Sequence, residues 1–137
     1  MRLFTGADER DWEQVESAFD DNVLLDYTST TGRAPAFMTP RQIVDTWAGL
    51  LPGFDRTCHQ LFDIRISESE GSANAFFRGK ADHYIDKDVW VVEGTYETTL
   101  VKKGENWLIR EFKFNLKDWS GNRQLADVAI ARMKKGK

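Results

Sequence analysis

Two histidines, His59 and His83, are the side chains best suited to proton transfer, because imidazole titrates near neutral pH. The chain contains no other histidine. Alternation along a strand-like run places His83 on one face with Phe77 and Ala81. A histidine on an apolar face is often a buried core residue, whereas two imidazoles at one cavity indicate acid–base chemistry. The sequence leaves both interpretations open.

The other reactive groups carry weaker signals. Cys58 is the only cysteine, and its place next to His59 puts it on the opposite strand face, so we interpret it as structural. A single cysteine excludes an intrachain disulfide and fits a cytoplasmic location. The histidines and carboxylates lack the spacing of metal ligands, and no glycine-rich phosphate loop or nucleophile elbow is present. We therefore expect no metal and no cofactor.

Composition limits the class of protein. The 137 residues are enough for one domain, and 41% hydrophobic residues, including nine Phe and five Trp, predict a packed core. The net charge is -3 and the Lys and Arg residues are scattered, so we expect no nucleic-acid partner. No segment is apolar for long enough to predict a signal peptide or a membrane span.

The pattern predicts helices first. A helix is expected to open at residues 8–11, with Asp8 as its N-cap and Trp12, Val15 and Phe19 on one face. A short strand at 23–28 and a loop at 29–35 follow. Thr39, followed by Pro40, is expected to cap a second helix that Pro52-Gly53 stops.

Four long strands then follow, near residues 57–67, 73–85, 89–102 and 106–117. Short turns make them antiparallel neighbours, and such a sheet must cover one apolar face with the helices. We predict an α+β fold over residues 1–137, a single domain shaped as a half-barrel around the helices. Alternation gives its inner lining as Ala75, Phe77, Ala81, His83, Trp90, Val92, Tyr96, Thr98 and Leu100. These aromatic and hydroxyl groups suit a ring-shaped ligand.

The last strand breaks the alternation. Trp107 and Ile109 occupy one register, whereas Phe112, Phe114 and Leu116 occupy the other. Either a bulge switches faces or both faces are buried. We favour a homodimer through the outer face, because large apolar patches are rarely left exposed. Residues 122–134 are interpreted as a terminal helix or a partner-binding arm.

Several short strings, in order and spacing, carry a family resemblance. They are Gly6-Ala7-Asp8-Glu9-Arg10-Asp11-Trp12, Asp26-Tyr27, Arg56-Thr57-Cys58-His59, Gly94-Thr95-Tyr96 and Gly104-Glu105-Asn106-Trp107. With them the chain resembles the cone-shaped nuclear-transport-factor-2-like superfamily, which has a cystatin-like curved sheet. Within it, the chain is similar to the SnoaL-like group of polyketide cyclases, scytalone dehydratase and hexachlorocyclohexane dehydrochlorinase.

The resemblance implies a metal-free site. His59 corresponds to the family's general base and Asp8 to the carboxylate that orients it. His83 and Tyr27 correspond to a second histidine and to a tyrosine that polarises a carbonyl. The side chains expected to contact the ligand are Trp90, Tyr96, Thr98, Phe77 and Phe112.

The chain also departs from its relatives. Ala7 stands where scytalone dehydratase has a second tyrosine. Leu3 and Phe112 stand where the dehydrochlorinase has cationic groups. The resemblance therefore does not extend to those two reactions themselves.

Local sequence keeps alternatives open at two positions. Asp8 also reads as a simple N-cap, and Asp26 is a rival carboxylate, although alternation puts it on the face opposite to Tyr27. His59 lies out of register with the apolar series Phe62, Ile64 and Ile66. It points inward only if a bulge or twist occurs near Gln60-Leu61.

These observations favour a small cytoplasmic enzyme of the dehydratase, isomerase or cyclase type. It would be a cofactor-free lyase or isomerase that acts on an apolar cyclic molecule, such as an aromatic, polyketide or steroid-like compound. The alternative is a non-catalytic ligand-binding or dimerisation module of the same fold.

Overall fold

The computed structural model describes residues 2–135. It contains α1 (Arg2–Glu9), α2 (Trp12–Ser17), β1 (Phe19–Asp26), α3 (Thr28–Thr31), β2 (Ala36–Met38), α4 (Pro40–Ala48), a 3₁₀ turn (Leu51–Gly53), β3 (Arg56–Ser69), β4 (Ser72–Ile85), β5 (Asp88–Lys103), β6 (Asn106–Gly121) and α5 (Leu125–Lys135). The strands form one curved, unclosed sheet in the order β2-β1-β6-β5-β4-β3. The β1–β6 pair is parallel and the other pairs are antiparallel. The predicted α+β class is confirmed, and so is the antiparallel pairing of the four long strands.

The first helical region differs from the prediction. Asp8 does not cap a helix but lies in the last turn of α1, which begins earlier because Leu3, Phe4 and Ala7 supply a buried face. The chain turns at Arg10, whose φ of 61° lies in the left-handed region. Asp11 then caps α2 through a hydrogen bond from the Gln14 amide.

Three smaller corrections follow in the next segment. Phe19 belongs to β1 rather than to a helix, so that strand starts four residues before the predicted residue 23. The predicted loop at 29–35 contains most of the one-turn helix α3, which begins inside the predicted strand at Thr28, and a short strand, β2, follows the loop. The predicted start of α4 is confirmed, because Thr39 is the N-cap, forms a capping box with Gln42 and directly precedes Pro40.

A bulge in β3 sets the direction of its side chains. The register shifts between Phe62 and Arg65, where Asp63 adopts a φ of 52°. Before the shift, His59 pairs with Ala81. Residues opposite each other in a ladder share a face, so His59 points inward while Phe62 points outward. The predicted bulge exists, but it lies at Asp63 rather than at Gln60-Leu61.

A second bulge resolves the irregular pattern of β6. The β5–β6 register shifts so that Ile109 pairs with Leu100 and Glu111 with Thr99, which leaves Arg110 as the extra residue. Ile109 and Phe112 both become buried as a result. The apolar residues of both registers thus serve one face of one subunit, and they no longer argue for a dimer.

The core lies between the inner face of the sheet and the helices. Its largest fully buried side chains come from α1, α2, α4 and four of the strands' inner positions, namely Leu3, Val15, Val23, Ile43, Phe77, Ile109 and Phe112. Among the described residues, no helix is long and apolar enough to cross a membrane.

Most of the terminal segment 122–134 lies in α5, which begins at Leu125, as one of its two interpretations predicted. Ala129 packs directly on Gly53, where an added Cβ would lie only 2.2 Å from the Ala129 carbonyl oxygen. Arg132 donates hydrogen bonds to the Gly53 carbonyl and to Asp55. The two backbones approach so closely that α5 can pack here only because residue 53 is a glycine.

Replacing Gly53 therefore tests the seating of α5. We expect Gly53→Ala to lower the free energy of unfolding by about 1–3 kcal/mol, because the methyl group must push the helix away. Urea unfolding measures the change. Gly49→Ala is the control, since its added Cβ meets nothing closer than 3.3 Å. Equal losses in both variants would contradict the proposed steric cause.

Candidate functional site

Asp8 and His59 meet at the point where α1 crosses β3. Nδ1 of His59 lies 2.6 Å from Oδ1 of Asp8, and the backbone amide of His59 donates to Oδ2 at 2.7 Å. Their side chains are 20% and 12% exposed, respectively. The same carboxylate therefore fixes both the ring and the backbone of the histidine.

A chain of donors supports the carboxylate from the other side. The Thr57 hydroxyl donates to Oδ1 of Asp8 at 3.0 Å and accepts from Arg10 at 2.8 Å. Arg10 also donates to the carbonyl oxygens of Ala7 and Leu51. The guanidinium thus orients Thr57 so that its proton points at the carboxylate.

These contacts decide the protonation pattern of the pair. Partial burial alone would raise the pKa of the Asp8 carboxyl, but the hydrogen bonds and charge interaction with His59, aided by Thr57, outweigh it and lower that pKa. A carboxylate only accepts hydrogen bonds, so we assign the imidazole proton to Nδ1. Nε2 of His59 is then left with the lone pair that a general base needs.

His83 lies beside the pair in an aromatic environment. Its ring stacks on Trp90 at 4.6 Å, contacts Phe54 at 4.9 Å and meets the His59 ring at 6.4 Å. Burial lowers the pKa of His83 to about 4, against the opposing hydrogen bond with the Trp90 carbonyl. A neutral His83 that donates Nδ1–H to this carbonyl offers Nε2 as an acceptor.

Two tyrosines contribute phenol rings to the interior, Tyr96 from β5 and Tyr27 from the position that precedes α3. Tyr27 stacks on Phe112 with ring centroids 6.0 Å apart, and Tyr96 packs against Phe77 at 5.0 Å. Burial raises the pKa of the Tyr27 phenol well above its ordinary value, and the nearby Tyr96 adds to this effect. Burial and the Asp8 charge raise the pKa of the Tyr96 phenol as well. Both phenols therefore keep their protons and can donate hydrogen bonds.

An aromatic side chain from α1 fills the space between these groups. The Phe4 ring is 5.2 Å from the rings of both His59 and Tyr96, and it is 5% exposed. Phe77 and Phe112 are fully buried against it. The interior of the cone beside His59 is thus occupied by protein.

A sizeable cavity lies elsewhere, on the outer face of the sheet. It has a volume of about 530 Å³, and Phe76, Glu97, Glu111 and Lys113 are among its lining residues. Neither Asp8 nor His59 lines it. Among the described residues, no group of three or more His, Cys, Asp or Glu side chains is placed to hold a metal ion.

The sequence over residues 1–113 matches the profile of the SnoaL-like domain. The chain belongs to the SnoaL-like family. Its fold is that of the nuclear-transport-factor-2-like superfamily, as the resemblance predicted. No curated protein matches the sequence significantly.

Solved structures share this SnoaL-like fold at low sequence identity. A protein of Kribbella flavida has a TM-score of 0.86 and 19% identity, with 92% of this chain and 90% of that one covered. A candidate scytalone dehydratase of Novosphingobium aromaticivorans has a TM-score of 0.75 and 19% identity, with 88% and 80% covered. The β subunit of benzoate 1,2-dioxygenase of Burkholderia mallei has a TM-score of 0.71 and 15% identity, with 85% and 84% covered.

The structure brings some of the predicted site residues of this SnoaL-like chain together and separates others. Asp8, His59, His83 and Trp90 form one neighbourhood. Thr98 does not join it, because its buried hydroxyl donates to the Ala75 carbonyl within the sheet.

The structure excludes both alternatives that the local sequence left open, namely Asp26 as the carboxylate beside His59 and Asp8 as a simple N-cap. Asp26 accepts a hydrogen bond from the Thr28 amide and lines the outer cavity, so it faces away from His59. Asp8 caps no helix, as described above. Of the two carboxylates, only Asp8 bonds to the imidazole.

Sequence reasoning missed several residues that shape the site of this SnoaL-like protein. Phe4 precedes Asp8 by four positions, a spacing that stacks two side chains on one helix face once α1 is known to start at Arg2. Thr57 precedes His59 by two positions and thus shares its strand face. Arg10 left no such signal, because its role depends on a left-handed turn and on Leu51, far away in sequence.

The burial of His83 predicts a stability that depends on pH. In the unfolded chain His83 titrates near 6.5, whereas in the folded chain its pKa is about 4. Between these values the unfolded state binds the extra proton, so acidification favours unfolding, by about 2 kcal/mol at pH 5. Urea unfolding at pH 7 and pH 5 should show this loss, and His83→Gln should lose about 2 kcal/mol less. An identical pH dependence in both proteins would refute the assignment.

Proposed function

We propose that this SnoaL-like protein is a cofactor-free enzyme that catalyses an elimination or an isomerisation of an apolar cyclic molecule. The observation that carries the proposal is the 2.6 Å contact between Asp8 and His59. This contact orients an imidazole whose other nitrogen is left free to accept a proton. The described dehydratase-like neighbour supports the choice of reaction class at the level of the fold.

The proposed reaction starts at a carbon next to a carbonyl group. Nε2 of His59 takes the proton from that carbon, and the electrons of the C–H bond form a carbon–carbon double bond as the carbonyl oxygen gains negative charge. In a dehydration, the enolate then expels hydroxide from the adjacent carbon, and the His59 imidazolium returns its proton to release water. In an isomerisation, the proton returns to a different carbon. Asp8 stabilises the imidazolium throughout.

We assign to the phenols of Tyr27 and Tyr96 the role of hydrogen-bond donors to the developing oxyanion, because a phenol is neutral near pH 7 and its O–H can donate. His83 suits this role less well, since it is neutral and its Nδ1 bonds to the Trp90 carbonyl. We instead assign to His83 the role of accepting a hydrogen bond from a substrate hydroxyl at Nε2.

The apolar surroundings define the substrate class. Leu3, Ala7 and Phe112 stand where relatives with other reactions have charged or phenolic groups, and all three are buried here. They offer no ion pair to a charged substrate and no extra donor to a leaving group. An uncharged cyclic ketone or hydroxyketone fits these walls best.

The second candidate function is a ligand-binding or assembly module without catalysis. The occupied interior beside His59 favours it, because a reacting molecule needs room there. A structural neighbour that is a subunit of a dioxygenase shows that the fold also occurs in larger assemblies. In this role Trp90, Tyr96 and His83 would only orient a bound molecule.

Hydrogen exchange at carbon separates the two candidates without knowledge of the full reaction. A panel of uncharged cyclic ketones, such as 2-tetralone and a 3-ketosteroid, is incubated with the protein in deuterium oxide and followed by proton NMR. We expect protein-dependent exchange of the protons next to the carbonyl. His59→Ala should lower its rate by at least about 100-fold, the usual contribution of a general base. Asp8→Asn should lower it by at least about tenfold, because the amide favours the wrong tautomer.

The neighbouring Cys58→Ser variant is the control for this experiment. Cys58 lies next to His59 but pairs with Asp82 on the opposite strand face, so its replacement should leave exchange unchanged. Binding of the ketones without exchange in the unmodified protein would favour the module over the enzyme. A loss of only a few-fold in His59→Ala would make this histidine a binding residue.

We further propose that the protein forms a homodimer through the outer face of the sheet. Phe62 and Phe76 are 44% and 40% exposed on this face. The cavity beside Phe76 carries charges of both signs, with Glu97 and Glu111 near Arg65 and Lys113. A two-fold axis can pair such charges between identical surfaces, and about 800 Å² per partner would be ordinary for a stable dimer.

A charge beside this cavity should prevent dimerisation. We expect the unmodified protein to sediment at twice the 15.8 kDa chain mass at micromolar concentration, and Phe76→Arg to sediment as a monomer. Val128→Arg is the control, because Val128 is similarly exposed but lies on α5. A monomeric unmodified protein, or a dimer that survives Phe76→Arg, would refute this interface.

A further inference from the structure

The position of Phe4 conflicts with the proposed chemistry unless Phe4 moves. Its ring contacts the base His59 and the donor Tyr96 at the same centroid distance of 5.2 Å. A substrate ring must occupy the space between His59 and Tyr96 if it loses a proton to His59 while its oxyanion accepts a hydrogen bond from Tyr96. Phe4 already fills that space, tilted against one ring and edge-on to the other.

The two ends of α1 are held very differently. Asp8, in its last turn, bonds to His59 and Thr57, and Arg10 bonds to Thr57 and two carbonyl groups. The Phe4 side chain, one turn earlier, is held by apolar packing, which includes ring contacts with His59, Phe77, Tyr96 and Phe112. The ring can therefore leave its place while the carboxylate stays on the histidine.

Gly6 lies between these two parts of the helix. Glycine within a helix costs about 1 kcal/mol relative to alanine, so the helix unwinds more easily here. Its α2-facing side packs closely on Val15, where an added Cβ would lie 3.1 Å from a methyl carbon. This contact holds the second half of α1 on α2, whereas the first half is anchored by the apolar packing of Leu3 and Phe4.

We propose that Phe4 is a displaceable plug that occupies the substrate-ring position beside His59. This inference rests on the proposed function, since it assumes that a substrate reacts at His59. The plug also defines the ligand class, because the space it vacates is that of one phenyl ring. An uncharged molecule that presents a single planar or near-planar six-membered ring to His59 is the ligand that fits.

A plug lowers the apparent affinity for any ligand that must displace it, in proportion to the fraction of molecules in the open state. Shortening the side chain should remove this penalty. Removing a buried ring leaves an apolar cavity, and cavities of that kind bind small aromatic molecules. The affinity of a one-ring probe should therefore rise when Phe4 is made smaller.

The probe is 4-fluorophenol, with binding followed by fluorine NMR in the full chain. We expect Phe4→Ala to bind it at least about tenfold more tightly than the unmodified protein, and Phe4→Leu about threefold more tightly. Phe4→Leu keeps most of the apolar volume, so it provides the test if the alanine variant does not fold. Phe19→Leu is the matched control, because Phe19 is equally buried but contacts Trp47 and Phe112 rather than His59.

The site of binding is read from the imidazole nitrogens. The chain has two histidines, and the signals missing from His59→Gln identify His59. Bound probe should shift the His59 ring signals in Phe4→Leu. No gain in affinity in Phe4→Leu, an equal gain in Phe19→Leu, or binding that leaves the His59 signals unmoved would overturn the proposal.

This outcome is independent of the carbon exchange experiment. A gain in affinity at His59 without exchange activity would retain the plug and reject the enzyme. Exchange that depends on His59, without any gain in the Phe4 variants, would retain the enzyme and reject the plug.

Discussion

The Asp8 carboxylate is the junction on which the site depends, because it joins the last turn of α1 to β3 through the ring and backbone of His59. The junction is locally unfavourable. A carboxylate near a helix C-terminus faces the negative end of the helix dipole, and Arg10 adopts a left-handed conformation directly after it. Donors from Thr57 and His59 offset the first cost, and three hydrogen bonds made by Arg10 offset the second. Strain of this kind is typical of functional sites.

Strand alternation made most of the sheet predictable from the sequence. The long strands were placed to within a few residues, and the inner positions Phe77, His83 and Tyr96 followed from a period of two. Alternation did not predict the positions of the bulges. In β3 the apolar series Phe62, Ile64 and Ile66 alternates without a visible break, yet the register shifts within it. Asp63 tolerates the left-handed conformation better than most residues, but this weak preference does not locate a bulge by itself.

Tertiary contacts account for what the sequence left undecided. Local sequence made Asp8 a good N-cap, and only the packing of Leu3 and Phe4 into the core extends the helix backwards. Alternation likewise identifies Phe77 as inward-facing, but it cannot tell the wall of a pocket from the filling of a core. That difference depends on what the opposite element inserts, and here α1 inserts Phe4.

The chemistry of the buried pair argues against a purely structural role. Packing alone would be satisfied by apolar residues at these positions, since replacing a buried ion pair by well-packed hydrophobic groups is often neutral or stabilising. Instead, Asp8 and His59 lie at an apolar interior, where the Thr57 hydroxyl donates to the carboxylate and accepts a hydrogen bond from Arg10. Asp8 and Thr57 thus hold the ring of His59 at one nitrogen. The proposed general base accounts for this contact, which packing alone does not require, whereas the hydrogen bonds of Arg10 also hold the left-handed turn that follows Asp8.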